Sequence, residues 1–196
     1  MEKKILSLIL TTIILVIVSC APKRTVQRID PDKQTDLSGR WNDTDSRLVA
    51  EELTVQVLNE KWLPRYELAH NNERPVVIVG LIRNKSHEHI DAETFIKDIE
   101  RSIIKNGSVR LVQAAEKRED LRTERADQQQ FASKNTAKQW GLELGADFIL
   151  QGSINSIVDQ YKNEKTVSYQ INLELTDLES NEIVWIGDKK IKKYIK

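Results

Sequence analysis

Val167, Tyr169, Ile171, Leu173 and Leu175 alternate with Ser168, Gln170, Asn172, Glu174 and Thr176. Successive side chains of an extended chain point to opposite faces, so this pattern writes a strand with one face buried and the other wet. A domain that contains it needs a sheet with a layer packed on one side only. Val76-Val77-Ile78-Val79-Gly80-Leu81-Ile82 adds the complementary constraint. A continuous β-branched run suits a strand covered on both faces, which places it in the interior of the sheet. Ala146 to Ile154, extending toward Asp159, is a further strand. The turn Leu178-Glu179-Ser180-Asn181 joins the alternating strand to Ile183-Val184-Trp185-Ile186-Gly187 as an antiparallel hairpin.

The layer over that sheet is helical. Asn42, Asp43 and Thr44 can accept hydrogen bonds from a first helical turn, and Leu48, Val49, Leu53, Val57 and Trp62 follow at helical spacing, with a stop expected before Pro64. Asp91 caps a second helix whose Phe95, Ile96, Ile99, Ile103 and Ile104 form an apolar stripe, and Asn106-Gly107 ends it. A short strand, Val109 to Val112, comes next. Ala114 to Lys134 reads as an exposed, highly charged helix followed by a connection, with Leu121 and Phe131 as its large apolar residues. Thr136 to Leu144 reads as another helix, stopped by Gly145. The sum is an α/β, α+β-like domain: a mixed sheet of about four to five strands, helices mainly on one face, and an antiparallel hairpin at the end.

The first residues have a different task. Lys3 and Lys4 precede an apolar or hydroxylated run from Ile5 to Val18, the pattern of a secretory signal peptide and short for a membrane span. The run closes on Ile17-Val18-Ser19-Cys20, which resembles the bacterial lipobox, where the cysteine is acylated and becomes the first residue of the mature chain. Cys20 is the one cysteine present, so it has neither a disulfide partner nor a companion thiol for a metal. Ala21 to Ser38, with Pro22 and Pro31, reads as a flexible tether of at most roughly 60 Å. The expected organisation is residues 1–19 as signal peptide, 20–38 as lipidated cysteine and tether, and 39–196 as the globular domain. Ala21 behind the cysteine favours outer-membrane sorting in that resemblance, with the domain facing the periplasm.

Charge excludes some partners. Residues 1–19 hold two lysines and one glutamate, so 30 basic and 30 acidic residues become 28 and 29 after them, a balance of −1. No global field is available to gather nucleic acid or an anionic substrate. The catalytic inventory is equally thin. No G-x-S-x-G turn presents a nucleophile to His70, His87 or His89. His87-Glu88-His89 offers two nitrogens but no further ligand at a zinc-like spacing. Ser102-Ile103-Ile104-Lys105, Ser153-Ile154-Asn155 and Lys165-Thr166-Val167 loosely match the three motifs of penicillin-recognising serine enzymes, but the glycine of the third is missing. We therefore expect no enzyme, no metal, no cofactor and no small-molecule substrate.

Five blocks in order carry a family resemblance: Trp41-Asn42, Val79 to Ser86, Ile103 to Val112, Gly145 to Gly152, and Asp177 to Trp185. With the lipobox they resemble the LpoB family, the outer-membrane lipoproteins that activate bifunctional class A penicillin-binding proteins. The resemblance implies an α/β domain similar to the amino-terminal domain of TolB, which docks on a peptidoglycan synthase and raises its rates without catalysis of its own. The best-known members of the family have a long proline-rich tether, whereas this chain has only Ala21 to Ser38. The second reading is a lipoprotein of an envelope assembly or export complex with a CsgG- or TolB-like domain. The candidate contact residues are Arg83, Asn84, Lys85 and Ser86 in the loop after the central strand, with Arg118, Arg122 and Arg125 on the charged helix. For the helix the plainer reading is a solvated face of alternating charges, and for the loop a turn that closes the strand.

Overall fold

The computed structural model describes residues 25–31, 33–131 and 144–196. The chain divides into two units, Met1–Lys33 and Gln34–Lys196. Cys20 and the signal sequence lie outside the described residues, as does most of the helix expected at Thr136 to Leu144. The elements of the second unit are α1 (Asp43–Leu58), α2 (Trp62–Ala69), β1 (Val76–Asn84), α3 (Ala92–Asn106), β2 (Arg110–Val112), α4 (Ala115–Phe131), β3 (Phe148–Tyr161), β4 (Glu164–Asp177) and β5 (Ile183–Ile195). The five strands form one mixed sheet in the order β2-β1-β3-β4-β5. β1 runs parallel to β2 and β3, and the β3-β4-β5 meander is antiparallel.

The alternating strand behaves as its pattern requires. Val167, Tyr169, Ile171, Leu173 and Leu175 are buried in the core with Phe148, Leu150 and Ile154 of β3 and Val77, Val79 and Ile82 of β1. α1 supplies Val49, Ala50, Leu53 and Val57 to that core and α3 supplies Phe95, Ile99 and Ile103. Each fully buried valine, leucine, isoleucine or phenylalanine contributes about 1.5–3 kcal/mol. Trp41 packs edge-on against both Phe95 and Tyr169, at 6.3 and 5.5 Å, and closes the core at one end. Trp62 and Tyr66 close the other end against Phe148, at 5.0 and 5.5 Å.

Both helix starts follow from their caps. Asn42 accepts from the backbone of Asp45 while the Asp45 carboxylate accepts from the Asn42 N–H, a reciprocal capping box. Asp91 accepts from the Glu93 N–H, and Gly107 ends α3 with φ of 77°, a left-handed angle that suits glycine. Three expectations need correction. The first helix does stop before Pro64, but already at Leu58, so Trp62 is not on it: Trp62 opens α2, with Pro64 in the first turn, where its missing N–H costs nothing because that turn has no acceptor for it. Leu48 faces out and is 45% exposed, so the buried stripe starts at Val49. The last strand does not stop at Gly187 but continues through the lysines to Ile195, pairing with β4 as far as Lys165.

Candidate docking surface

The central strand changes register midway. Val77, Ile78 and Val79 pair with Phe148, Ile149 and Leu150, but Ile82, Arg83 and Asn84 pair with Gly152, Ser153 and Ile154. One extra residue on β1 is a bulge at Gly80-Leu81, which resets which side chains face out. Ile82 turns inward at 1% exposure, while Leu81 stands 61% exposed on the face that α1 and α3 leave open. Gly80 fits the bulge because a Cβ there would lie 2.8 Å from the Ile149 side chain.

Leu81 is the ridge between two depressions. On one side Arg83, Lys85, Ser153, Glu174 and Ile186 join it around a cavity of about 310 Å³ on the open sheet face. On the other, Ile78, Ile96, Ile149, Lys117 and Arg118 join it around about 560 Å³ between β1, α3 and the start of α4. Among the described residues β2 pairs with β1 only from Val76 to Ile78, and the second cavity lies beside the continuation of that edge. Lys117 lies 3.7 Å from Glu93, and Lys97 pairs with Glu100, a hydrogen bond that holds its ammonium above the ordinary lysine pKa.

The structure thus separates the candidate residues by role. Arg83 and Lys85 present charge on one side of Leu81, and Arg118 on the other, with its Nε buried and without a hydrogen-bond partner among the described residues. Arg122 pairs with Glu119 one turn earlier, at 3.0 Å, and Arg125 lies farther along α4. Asn84 and Ser86 serve the loop itself. The Asn84 amide donates to the Glu88 carbonyl at 2.8 Å, and its oxygen accepts from the Ser86 N–H and hydroxyl at 2.9 and 2.7 Å.

Nothing local in the sequence marks Glu88. Arg83 to His89 reads as one polar loop, yet the Glu88 carboxylate is folded inward. It accepts from the Trp41 N–H at 3.1 Å and from the Tyr169 hydroxyl at 2.8 Å. Burial, then the hydrogen bond to this carboxylate, raises the Tyr169 pKa far above the usual tyrosine range. The two partners are 47 and 81 residues away, so no short spacing announces the contact. His87 bonds to Ser156 across the loop, at 2.6 Å. Among the described residues no group of three or more His, Cys, Asp or Glu is placed to hold a metal. The loose serine-enzyme motifs do not converge. Ser102 and Lys105 lie on α3, which packs on the covered face, while Ser153 lines the open one and Lys165 begins β4 at the far turn.

The family described as peptidoglycan-synthase activator LpoB matches residues 45–191, from the first turn of α1 into β5. The chain belongs to the LpoB family. Among solved structures, the LpoB C-terminal domains of Salmonella enterica and Escherichia coli each show 16% identity and a TM-score of 0.42, over 75% of this chain and 98% of theirs. Lipoprotein GNA1162 of Neisseria meningitidis shows 12% identity and a TM-score of 0.39, over 62% and 84%. No curated protein sequence matches the chain. The LpoB family is one of regulatory activators, and its matched region takes in β1 with its bulge, the loop with Glu88, and both depressions beside Leu81.

Proposed function

We propose that this chain is a lipid-anchored, periplasm-facing activator of a bifunctional class A peptidoglycan synthase, and that it acts by contact. The observation that carries this reading is the family match over residues 45–191. Residues 1–19 are the signal peptide, Cys20 is the acylated residue that anchors the chain in the outer membrane, and 20–38 is the tether. No helix among the described residues is long and apolar enough to cross a membrane. The attachment that the lipobox supplies is acyl chains on Cys20, each buried methylene worth about 0.8 kcal/mol.

The synthase docks over Leu81, with Arg83 and Lys85 on one side and Arg118 on the other. Arg122 and Arg125 extend the basic side along α4, while Asn84 and Ser86 hold the loop in shape. Exposed Leu81 and Ile186 supply the apolar centre, and the basic groups supply orientation. The test is to add the mature chain to a purified class A synthase and follow glycan polymerisation and peptide crosslinking. Both rates are expected to rise; unchanged rates with no measurable binding overturn the proposed activation. Crosslinking in cells that recovers a secretion or Tol component in place of a synthase also counts against it.

A further inference from the structure

The sheet extends well past its helical cover at one end. β3 and β4 stay paired to Tyr161 and Glu164, and Ile195 reaches the same level on β5. On the open face of this end Ile157 is 72% exposed, Tyr161 72% and Tyr194 59%. Lysines surround them. Lys162 sits over the Tyr161 ring at 5.2 Å, Lys192 stands in the same row as Ile157, and Lys196 follows the strand. The acids here are Asp159, Glu164 and Asp188; the Tyr194 hydroxyl donates to Glu164, and Asp188 lies 3.7 Å from Lys190.

The same end receives the chain from its amino-terminal side. Lys193 is nearly buried and binds Asp36 at 2.7 Å, the Arg40 carbonyl at 2.9 Å and Asp45 at 2.5 Å. Gly39 lies directly on Ile195, where an added Cβ would come within 2.4 Å. Residues 36–40 are therefore buckled to the tip of β5, and Leu37 among them is 93% exposed. From Cys20 to Asp36 even a fully extended chain reaches only roughly 55 Å. The described chain enters the domain at the end of the sheet that carries the exposed tyrosines and lysines.

We propose that this end of the domain rests against the phospholipid surface into which the Cys20 acyl chains insert, a proposal that rests on the reading of Cys20 as the lipid attachment. Tyrosine rings with an apolar body and a polar tip settle at the headgroup level, and lysines lay their stems along apolar surface while the ammonium reaches phosphate. Tyr161, Tyr194 and Ile157 enter the headgroup layer; Lys162, Lys192 and Lys196 pair with lipid phosphates. The tether delivers the patch at high local concentration, so individually weak contacts suffice.

The experiment uses the acylated chain in phosphatidylethanolamine–phosphatidylglycerol vesicles. Cys20 is the native cysteine and is blocked by acylation, so an environment-sensitive fluorophore goes to Asn163→Cys at the β3-β4 turn or to Glu179→Cys at the opposite turn. Headgroup-level quencher lipids are expected to quench the label at 163 several-fold more than the label at 179. Replacing Tyr161 and Tyr194 by serine and Lys162 and Lys192 by glutamate removes that difference, with flotation and the unfolding transition unchanged. Equal quenching at both turns in protein that floats overturns the proposal and leaves the anchor standing. Failure to float overturns the anchor and the proposal together. Protection of the 163 label only on adding synthase assigns the patch to protein docking and overturns the membrane contact.

Discussion

Arg83 and Asn84, the last two residues of β1, are opposite in function, and both are strand in the structure although they read as loop on paper. Asn84 fills its amide with the Glu88 and Ile90 carbonyls and the Ser86 donors, whereas Arg83 projects onto the open face. Asn84→Ala leaves those groups unpaired and is expected to cost about 1–3 kcal/mol, read as a shift of the urea midpoint at constant slope. Arg83→Ala should stay within about 0.5 kcal/mol on the same measurement, as surface substitutions do. Tyr66 gives a second residue-level outcome. Its hydroxyl donates to Asp147 at 2.8 Å, and burial, then that bond, pushes its pKa from 10.0 up to about 12. The folded state therefore holds a proton that the unfolded chain releases, so this contribution is complete below pH 10 and is lost as pH rises toward 12. Urea unfolding followed from pH 9 to 12 should show a shallower decline for Tyr66→Phe than for the parent. Tyr169 and Lys193, both raised, add to the decline on the same side and remain in the variant.

At the scale of elements, close approach of strands sets the tolerance. Gly152 lies where β3 crosses Leu173 of β4, and a Cβ there would sit 2.0 Å from the Asn172 carbonyl oxygen. Gly152→Ala must push the two longest strands apart, at a cost of about 1–3 kcal/mol or more, with the loss visible in the thermal midpoint. These elements were legible to unequal degrees. Period-2 alternation in β4 and the β-branched run of β1 are local consequences of burial, so strand type, the open face and the central position of β1 could be read directly. The α1–α2 break at 59–61 could not, because Pro64 is a strong stop signal that is harmless in a first turn. The bulge at Gly80-Leu81 was also hidden, since a run of aliphatics does not reveal which of them leaves the core. The extension of β5 was masked by its run of lysines, which breaks the apolar strand pattern; in the structure Lys189 and Lys193 pair across to Glu52 of α1 and to Asp36 and Asp45. The Glu88 and Asp147 contacts join residues far apart in sequence, which no single-chain pattern encodes.

Among the described residues of Gln34–Lys196, α1 and α3 pack on one face of the sheet, and the other face carries an apolar ridge at Leu81 flanked by basic groups. The whole chain's net charge is close to zero, so attraction of a partner depends on the local arrangement around Leu81 and falls off within a Debye length of about 8 Å at physiological salt. If Arg83 and Lys85 orient the synthase, reversing both in Arg83→Glu with Lys85→Glu places like charge where opposite charge met the partner. The expected loss is about 2–4 kcal/mol of binding free energy, which is roughly 30- to 1000-fold in Kd. It should appear in the association rate and shrink as salt is raised, because both side chains stand at the edge of a shallow depression. Synthase activation should fall in parallel while the urea midpoint stays unchanged, since neither side chain belongs to the Asn84–Glu88 network. Titration of a labelled synthase at two ionic strengths measures this; a double variant that binds and activates as well as the parent would move the docking surface away from the open face.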